Sequence, residues 1–396
     1  MPYRHIEPFT SRVLGWLAAA SEAARARPHK KWGFMFREAD QKRPLPRVAA
    51  IGCGHWGKNI ARNLSRLGAL HAVCDSNASA ALKVSSDFGV PARSFGDLLD
   101  DPDCDALALA SPASLHCEQV RHALKAGKHV FVEKPLALNV SEGCDLARLA
   151  RKRSRVLMVG HLLRYHPHVL KLIELVRGGQ LGQVRRIFAR RQSPGRLRTE
   201  EDVMWSFAPH DISLILAIMG ERPKRVWAEG SAILAPSVLD MATIHMKFAN
   251  GVAARVHVSW LNPYKEQKLT VVGSRATAIF DDRADWADKL LVYEHDIVFR
   301  DGRPWTVKNE PIRFPLEQRE PLREECAHFL HSVSTGVSPR TDSAEALAVL
   351  SVLDAATRSL DSGRHMAPRG LRAPRARKKH NGHVMHRVEP ALVVLD

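Results

Sequence analysis

The stretch that most constrains how this chain folds is Arg47 to Gly57, RVAAIGCGHWG, a short apolar run that breaks into glycines at Gly52, Gly54 and Gly57. An apolar strand followed by G-x-G-x-x-G and a helical pattern is the fingerprint of a dinucleotide-binding turn. The first glycine permits the sharp turn, the second lets backbone approach a pyrophosphate, and the third lets the next helix pack close to the strand. The phosphates then sit on the N-terminus of a helix starting near His55, where unpaired N–H groups and the helix dipole favour negative charge. His55 and Trp56 therefore join the three glycines as expected cofactor contacts. Context supports the motif: Leu70 to Cys74 reads as a second strand ending in Asp75, eighteen residues after Gly57. That is close to the spacing of a carboxylate that binds an adenosine ribose, so NAD is the expected cofactor.

From Arg47 onward, short apolar runs alternate with helix-length amphipathic ones, the pattern of a parallel sheet covered on both faces. Strands are predicted at Val48–Ile51, Leu70–Cys74, Arg93–Phe95, Ala106–Ala110, Val130–Val132 and Val156–Val159, six in all, with helices at Ser114–Ala126 and Ser141–Lys152. Ligands bind beyond the carboxyl ends of such strands. Asp75, Ser111-Pro112, Glu133-Lys134-Pro135 and Gly160-His161 occupy those ends. After Pro167 the pattern changes. Helices are predicted at Pro167–Val176 and Pro209–Met219, each stopped by glycine. Hairpins follow: Ala242–Phe248 with Val252–Trp260 around Asn250-Gly251, Lys268–Val272 with Ala276–Phe280, and Leu290–Tyr293 with Ile297–Phe299. Two closing helices are predicted, Leu322–Val333 and one capped by Asp342, with Glu345 three residues on. The expected fold class is α/β, a doubly wound parallel sheet followed by an α+β domain on an open, largely antiparallel sheet. The expected division is an N-terminal extension (1–45), a nucleotide domain (46–160), a substrate and oligomerisation domain (161–361) and a basic tail (362–396). The open sheet face suits a homo-oligomer, a dimer or tetramer.

The net charge of +17 raises the question of nucleic acid. Residues 1–47 carry ten Lys/Arg against four Asp/Glu, and residues 362–396 carry eight against two, so most of the excess belongs to the ends rather than to a groove in the body. No specific nucleic-acid site is expected. No apolar run reaches the eighteen residues a membrane span needs. The six cysteines are scattered without C-x-x-C pairs, which suits reduced thiols in a cytoplasm better than disulfides or structural zinc.

Several residues at the strand ends and the domain junction carry candidate chemistry. Lys134 in FVEKP is either half of a Glu-Lys ion pair or a cation at the nicotinamide end of the cleft, placed to hydrogen-bond a substrate hydroxyl. His210 in WSFAPHDISLIL follows Pro209 at the predicted first turn of a helix, where the dipole lowers its pKa and favours the neutral, proton-accepting imidazole. Arg164, Tyr165 and His166 in GHLLRYHP open the second domain, where Arg164 binds an anionic or hydroxylated substrate or else forms an internal salt bridge. Arg190-Arg191-Gln192 through Arg196 and Arg198 is a basic stretch that offers partners to a diphosphate-linked substrate, or a solvated loop. The histidines at 161, 166, 168 and 210 lack the spacing and carboxylate partners of a metal site, and no G-x-S-x-G elbow points to a hydrolase.

With GCGHWG, EKP at 133–135 and a histidine in the second domain, the chain resembles the Gfo/Idh/MocA oxidoreductase family from about Arg47 to Leu360. GHLLRYHP, WSFAPHDIS and SWLNPYKEQKL look like the branch that oxidises the 3-hydroxyl of UDP-N-acetylglucosamine or its glucuronic acid with NAD. That branch feeds 3-keto sugars to an aminotransferase in surface-polysaccharide synthesis. The resemblance implies a Rossmann domain in which Gly52, Gly54, Gly57 and Asp75 hold the cofactor. Ser111, Pro112, His116 and Glu133 line the nicotinamide side, and Lys134 and His210 are catalytic. Many members place Asp four residues before this histidine, and here that position is Ser206. The family also contains polyol, inositol and simple-sugar dehydrogenases and non-catalytic, cofactor-binding regulators.

Overall fold

The computed structural model describes residues 45–194, 202–236, 238–307 and 309–369. Most of the expected N-terminal extension and of the basic tail, together with Arg196 and Arg198, lies outside the described residues.

Strands β1 (Val48–Ile51), β2 (Leu70–Cys74), β3 (Ala106–Leu109), β4 (His129–Glu133) and β5 (Leu157–Gly160) form a parallel sheet in the order β2-β1-β3-β4-β5. Every residue of β1, β3 and β5 is buried, as expected of strands covered on both faces. The crossovers are helices α1 (Gly57–Arg66), α2 (Ala78–Phe88), α3 (Phe95–Asp100), α4 (Ala113–Lys125) and α5 (Val140–Arg153). The sheet has five strands rather than six. Ala92 makes a single bridge to Val73, after which the Ser94 side chain accepts a hydrogen bond from the Asp97 N–H and starts α3, so the expected strand Arg93–Phe95 does not form.

A 3₁₀ turn, Leu162–Tyr165, leads into α6 (Pro167–Arg177), β6 (Val184–Gln192) and α7 (Val203–Met219). The stretch through Arg190-Arg191-Gln192 is therefore not a loop. It is the end of a strand at the centre of the second sheet, paired with β9 (Ala253–Ser259) and β10 (Glu266–Gly273). The full order is β15-β12-β11-β10-β6-β9-β8-β7, with β7 (Arg225–Ser231), β8 (Met241–Lys247), β11 (Ala276–Asp281), β12 (Leu290–Glu294) and β15 (Ile312–Arg313). All pairs are antiparallel except β6 with β9. Gly251 supplies the positive φ of the β8–β9 turn. The expected hairpin of Leu290–Tyr293 with Ile297–Phe299 is replaced: β12 pairs with β11 and β15, while β13 (Asp296–Arg300) pairs with β14 (Arg303–Val307).

Helices α8 (Pro321–Thr335) and α9 (Ser343–Ser362) close the body. Leu322, Cys326, Phe329 and Leu330 of α8 share a core with Val48, Phe131 and Met158 of the first sheet. On α9, Ala346 and Leu350 pack with Val140 and Leu146, whereas Val349, Val352 and Leu353 join Ile212 and Ile215 of α7. The last two helices thus return to the nucleotide domain.

Candidate active site

The three glycines of the turn differ in what surrounds them. Gly52 has φ +92°, and a Cβ there would lie 2.8 Å from the Ala110 carbonyl. A Cβ on Gly57 would lie 1.7 Å from the Gly52 oxygen, so only glycine lets α1 start this close to the turn. A Cβ on Gly54 would meet nothing within 4 Å, which leaves its backbone open to a phosphate. The helix is regular from Gly57, and the Lys58 N–H already donates to the Gly54 carbonyl at 3.2 Å, so its start lies near His55. Asp75, at the end of β2, accepts from the Cys53 N–H at 2.6 Å and the Asn77 N–H at 2.8 Å, so its carboxylate is fixed beside the turn. Across the cleft the Trp56 indole N–H donates to Glu133 Oε1 at 2.5 Å. Burial pushes the Glu133 carboxyl up, against the opposing pull of Trp56, Lys134 and His161. The Ser111 hydroxyl donates to Gln119, and Pro112 stands at the N-cap of α4. His116 is buried with Nδ1 2.7 Å from the Pro135 carbonyl oxygen and Nε2 2.9 Å from that of Ser111, so it braces the Ser111-Pro112 loop against the EKP segment.

Lys134 and His210 come together from distant parts of the chain. Lys134 Nζ donates at 2.9 Å to the carbonyl of Ser206, one turn before His210 on α7. Pro209 lies inside that helix, where it has no N–H to give the preceding turn. The helix starts at Val203, capped by the Asp202 side chain, so His210 sits two turns in and not at the positive end. The dipole argument for its neutral form is therefore corrected. Burial holds the His210 pKa well below the ordinary value, helped by the charges of Arg191, Lys134 and His161. The outcome is the same, a neutral imidazole at neutral pH, but the cause differs.

Ser206 leaves a visible mark: His210 Nδ1 is buried with no hydrogen-bond partner among the described residues. Asp211 does not substitute, because Arg191 holds both its oxygens, at 2.8 and 3.1 Å.

The junction residues are placed otherwise than expected. Tyr165 is 1% exposed, and its hydroxyl meets Thr341 Oγ1 at 2.9 Å. His166 is 3% exposed, caps α6 through His168 N–H, and packs on Phe280 and Trp286. Neither has surface to offer a substrate, so both assignments are withdrawn. Arg164 is buried and paired with Glu345 at 3.3 Å, the internal salt bridge. Two residues that the sequence marked only as a strand end and a helix cap enter instead: His161, whose Nδ1 lies 2.6 Å from Glu345 Oε2, and Glu345 itself. The GH after β5 was a usable signal for His161, but nothing local marks a glutamate 184 residues further on.

A glycine turn after β1, an aspartate closing β2 and a lysine brought to the helix that carries His210 are the arrangement of an NAD-dependent dehydrogenase. The sequence matches the description "Oxidoreductase family, NAD-binding Rossmann fold" over residues 46–161 and "GFO/IDH/MocA C-terminal domain" over residues 169–279, together more than half of the chain. The chain belongs to the Gfo/Idh/MocA oxidoreductase family. It is 29% identical over 319 residues to the UDP-N-acetylglucosamine 3-dehydrogenase of Acidithiobacillus ferrooxidans, covering 78% of this chain and 97% of that one. It is 27% identical over 334 residues to the myo-inositol 2-dehydrogenase of Thermotoga maritima, covering 80% and 97%. A solved structure of the Acidithiobacillus enzyme superposes with a TM-score of 0.69 at 27% identity, covering 80% of this chain and 98% of that one.

Proposed function

We propose that the protein oxidises the 3-hydroxyl of a UDP-N-acetylhexosamine, or of its uronic acid, to the 3-keto sugar. The observation that carries the chemistry is the contact of Lys134 with α7 one turn from His210, which joins a cation and a neutral imidazole at one point of the cleft. Bound NAD would supply the hydride acceptor. The glycine turn would hold its phosphates, and Asp75 would accept hydrogen bonds from the adenosine ribose. His210 takes the hydroxyl proton, and Lys134 hydrogen-bonds the same oxygen as negative charge develops on it. General acid–base help of this kind is worth about 10²–10⁴ in rate, so Lys134→Ala and His210→Ala each lower kcat by roughly that factor with NAD affinity nearly intact. Because the two act as a unit, the double variant is less than additive.

The likeness to the UDP-N-acetylglucosamine 3-dehydrogenase supports the sugar assignment. The likeness to myo-inositol 2-dehydrogenase supports a second reading, oxidation of an inositol or simple sugar. A panel of UDP-sugars, free sugars and inositols, followed by NADH absorbance, separates them. Turnover confined to UDP-N-acetylhexosamines or their uronic acids is the expected result, and turnover confined to inositols replaces it with the second reading. We further propose a homo-oligomer through the open face of the eight-stranded sheet, with no membrane or specific nucleic-acid partner. The six free cysteines favour a reducing cytoplasm.

A further inference from the structure

The two residues assigned to proton transfer belong to different sheets. Lys134 follows β4 of the parallel sheet, and His210 stands on a helix that packs against the second sheet, so their register depends on how the two halves are joined. One buried carboxylate spans that joint. Glu345, in the first turn of α9, accepts from His161 Nδ1 at 2.6 Å on one oxygen. On the other it accepts from the Ser213 hydroxyl at 2.5 Å and from Arg164 Nη1 at 3.3 Å. His161 immediately follows β5, Arg164 lies in the connecting 3₁₀ turn, and Ser213 is on α7. Positions 206, 210 and 213 fall on one face of that helix, at the i, i+4, i+7 spacing. The face that presents the Ser206 carbonyl to Lys134 is therefore pinned by Ser213 to Glu345.

We propose that Glu345 is a positioning residue, the pin that sets His210 in register with Lys134 by tying the end of β5 to the catalytic face of α7. The proposal rests on the assignment of Lys134 and His210 given above. Glu345 touches no reacting atom and acts through His161 and Ser213. Burial pushes its carboxyl up, but the charges of His161 and Arg164 and the hydrogen bonds from His161 and Ser213 outweigh that and hold it below the ordinary range.

The test uses Glu345→Gln in the full chain, alone and in the His210→Ala background, with kcat and NAD affinity by fluorescence. Misplacement of catalytic groups by about 1 Å costs up to about 10² in rate, so kcat is expected to fall about tenfold to a hundredfold. NAD affinity stays within about twofold by the same argument, since the cofactor turn is untouched. In the His210→Ala background the same substitution changes kcat by less than about twofold, whereas a merely structural defect lowers kcat by the same factor in both backgrounds. Should this variant fail to fold, His161→Asn carries the same test, with kcat lowered in the wild-type background and not in the His210→Ala one. A kcat within about twofold of wild type, or an equal loss in both backgrounds, overturns the proposal. Normal turnover by Lys134→Ala and His210→Ala overturns the catalytic assignment instead.

Discussion

Ser206→Asp is the sharpest probe of this site. Position 206 is 3% exposed and lies one turn before His210, whose imidazole Nδ1 is buried with no partner among the described residues. Side chains four apart on a helix are neighbours, and an opposite charge within about 4–6 Å raises a histidine pKa by roughly 1–3 units. Each unit is about 1.4 kcal/mol, so the expected stabilisation of the imidazolium is about 1.4–4 kcal/mol. A Coulomb estimate of about 4 kcal/mol at 4 Å with an effective dielectric constant of 20 marks the upper end. The Lys134 contact survives, because it is made to the main-chain carbonyl and not to the serine side chain. In the wild type His210 is held neutral by burial and by three neighbouring cationic or ionisable groups. The acid limb of kcat/KM therefore lies well below neutrality when His210 is the base. The variant moves that limb upward by about 1–3 pH units, leaves NAD affinity unchanged, and fixes one tautomer. Ser206→Asn supplies an acceptor without the charge and moves the limb by much less. An unmoved limb in a folded Ser206→Asp protein refutes the assignment of His210 as the titrating base.

Three further outcomes follow from the same geometry. Asp75→Ala narrows the preference for NAD over NADP, because the wild-type carboxylate accepts from a ribose 2′-hydroxyl and repels a 2′-phosphate; a wild type more efficient with NADP refutes this. Glu325→Gln raises the melting temperature at pH 8 and leaves it unchanged near pH 4. Burial, with Glu133 and Glu345 nearby, raises the Glu325 pKa well above its ordinary value in the folded chain, so wild-type stability is fully present below the unfolded pKa and declines as pH rises towards the folded one. That decline is about 1.4 kcal/mol per pH unit, and glutamine escapes it. A chain cut to residues 45–369 keeps its kcat, since the described site residues lie between Gly52 and Glu345. The cut falls after residue 369 because Met366 exchanges backbone hydrogen bonds with Val226 on the edge strand β7. A soluble, folded truncation without activity refutes that expectation.

Much of the fold was legible because it rests on local rules. The glycines at 52 and 57 answer to backbone sterics at one turn, and the apolar runs of β1 and β3 answer to burial on both faces. The Asn250-Gly251 turn and the Asp342 cap of α9 are likewise set by their immediate neighbours. The misreadings have equally local causes. Ser94 diverts the third predicted strand into a helix cap, and β6 was hidden by arginines that alternate with buried Ile187, Ala189 and Arg191. The start of α7 was obscured by Pro209, read as a helix beginning although the Asp202 cap lies seven residues earlier.

The candidate site divides along the same line. By itself the sequence determined the glycine turn and singled out Asp75, Lys134 and His210 as candidates, since each is announced by residues within a few positions of it. Only the tertiary structure decided that burial and neighbouring cations, rather than a helix end, keep His210 neutral. It also decided that Tyr165 and His166 belong to packing, that Arg164 is committed to Glu345, and that the last helix supplies the carboxylate joining the two halves. Those outcomes depend on desolvation and on charges brought together across up to 184 residues of chain, and no local pattern encodes either.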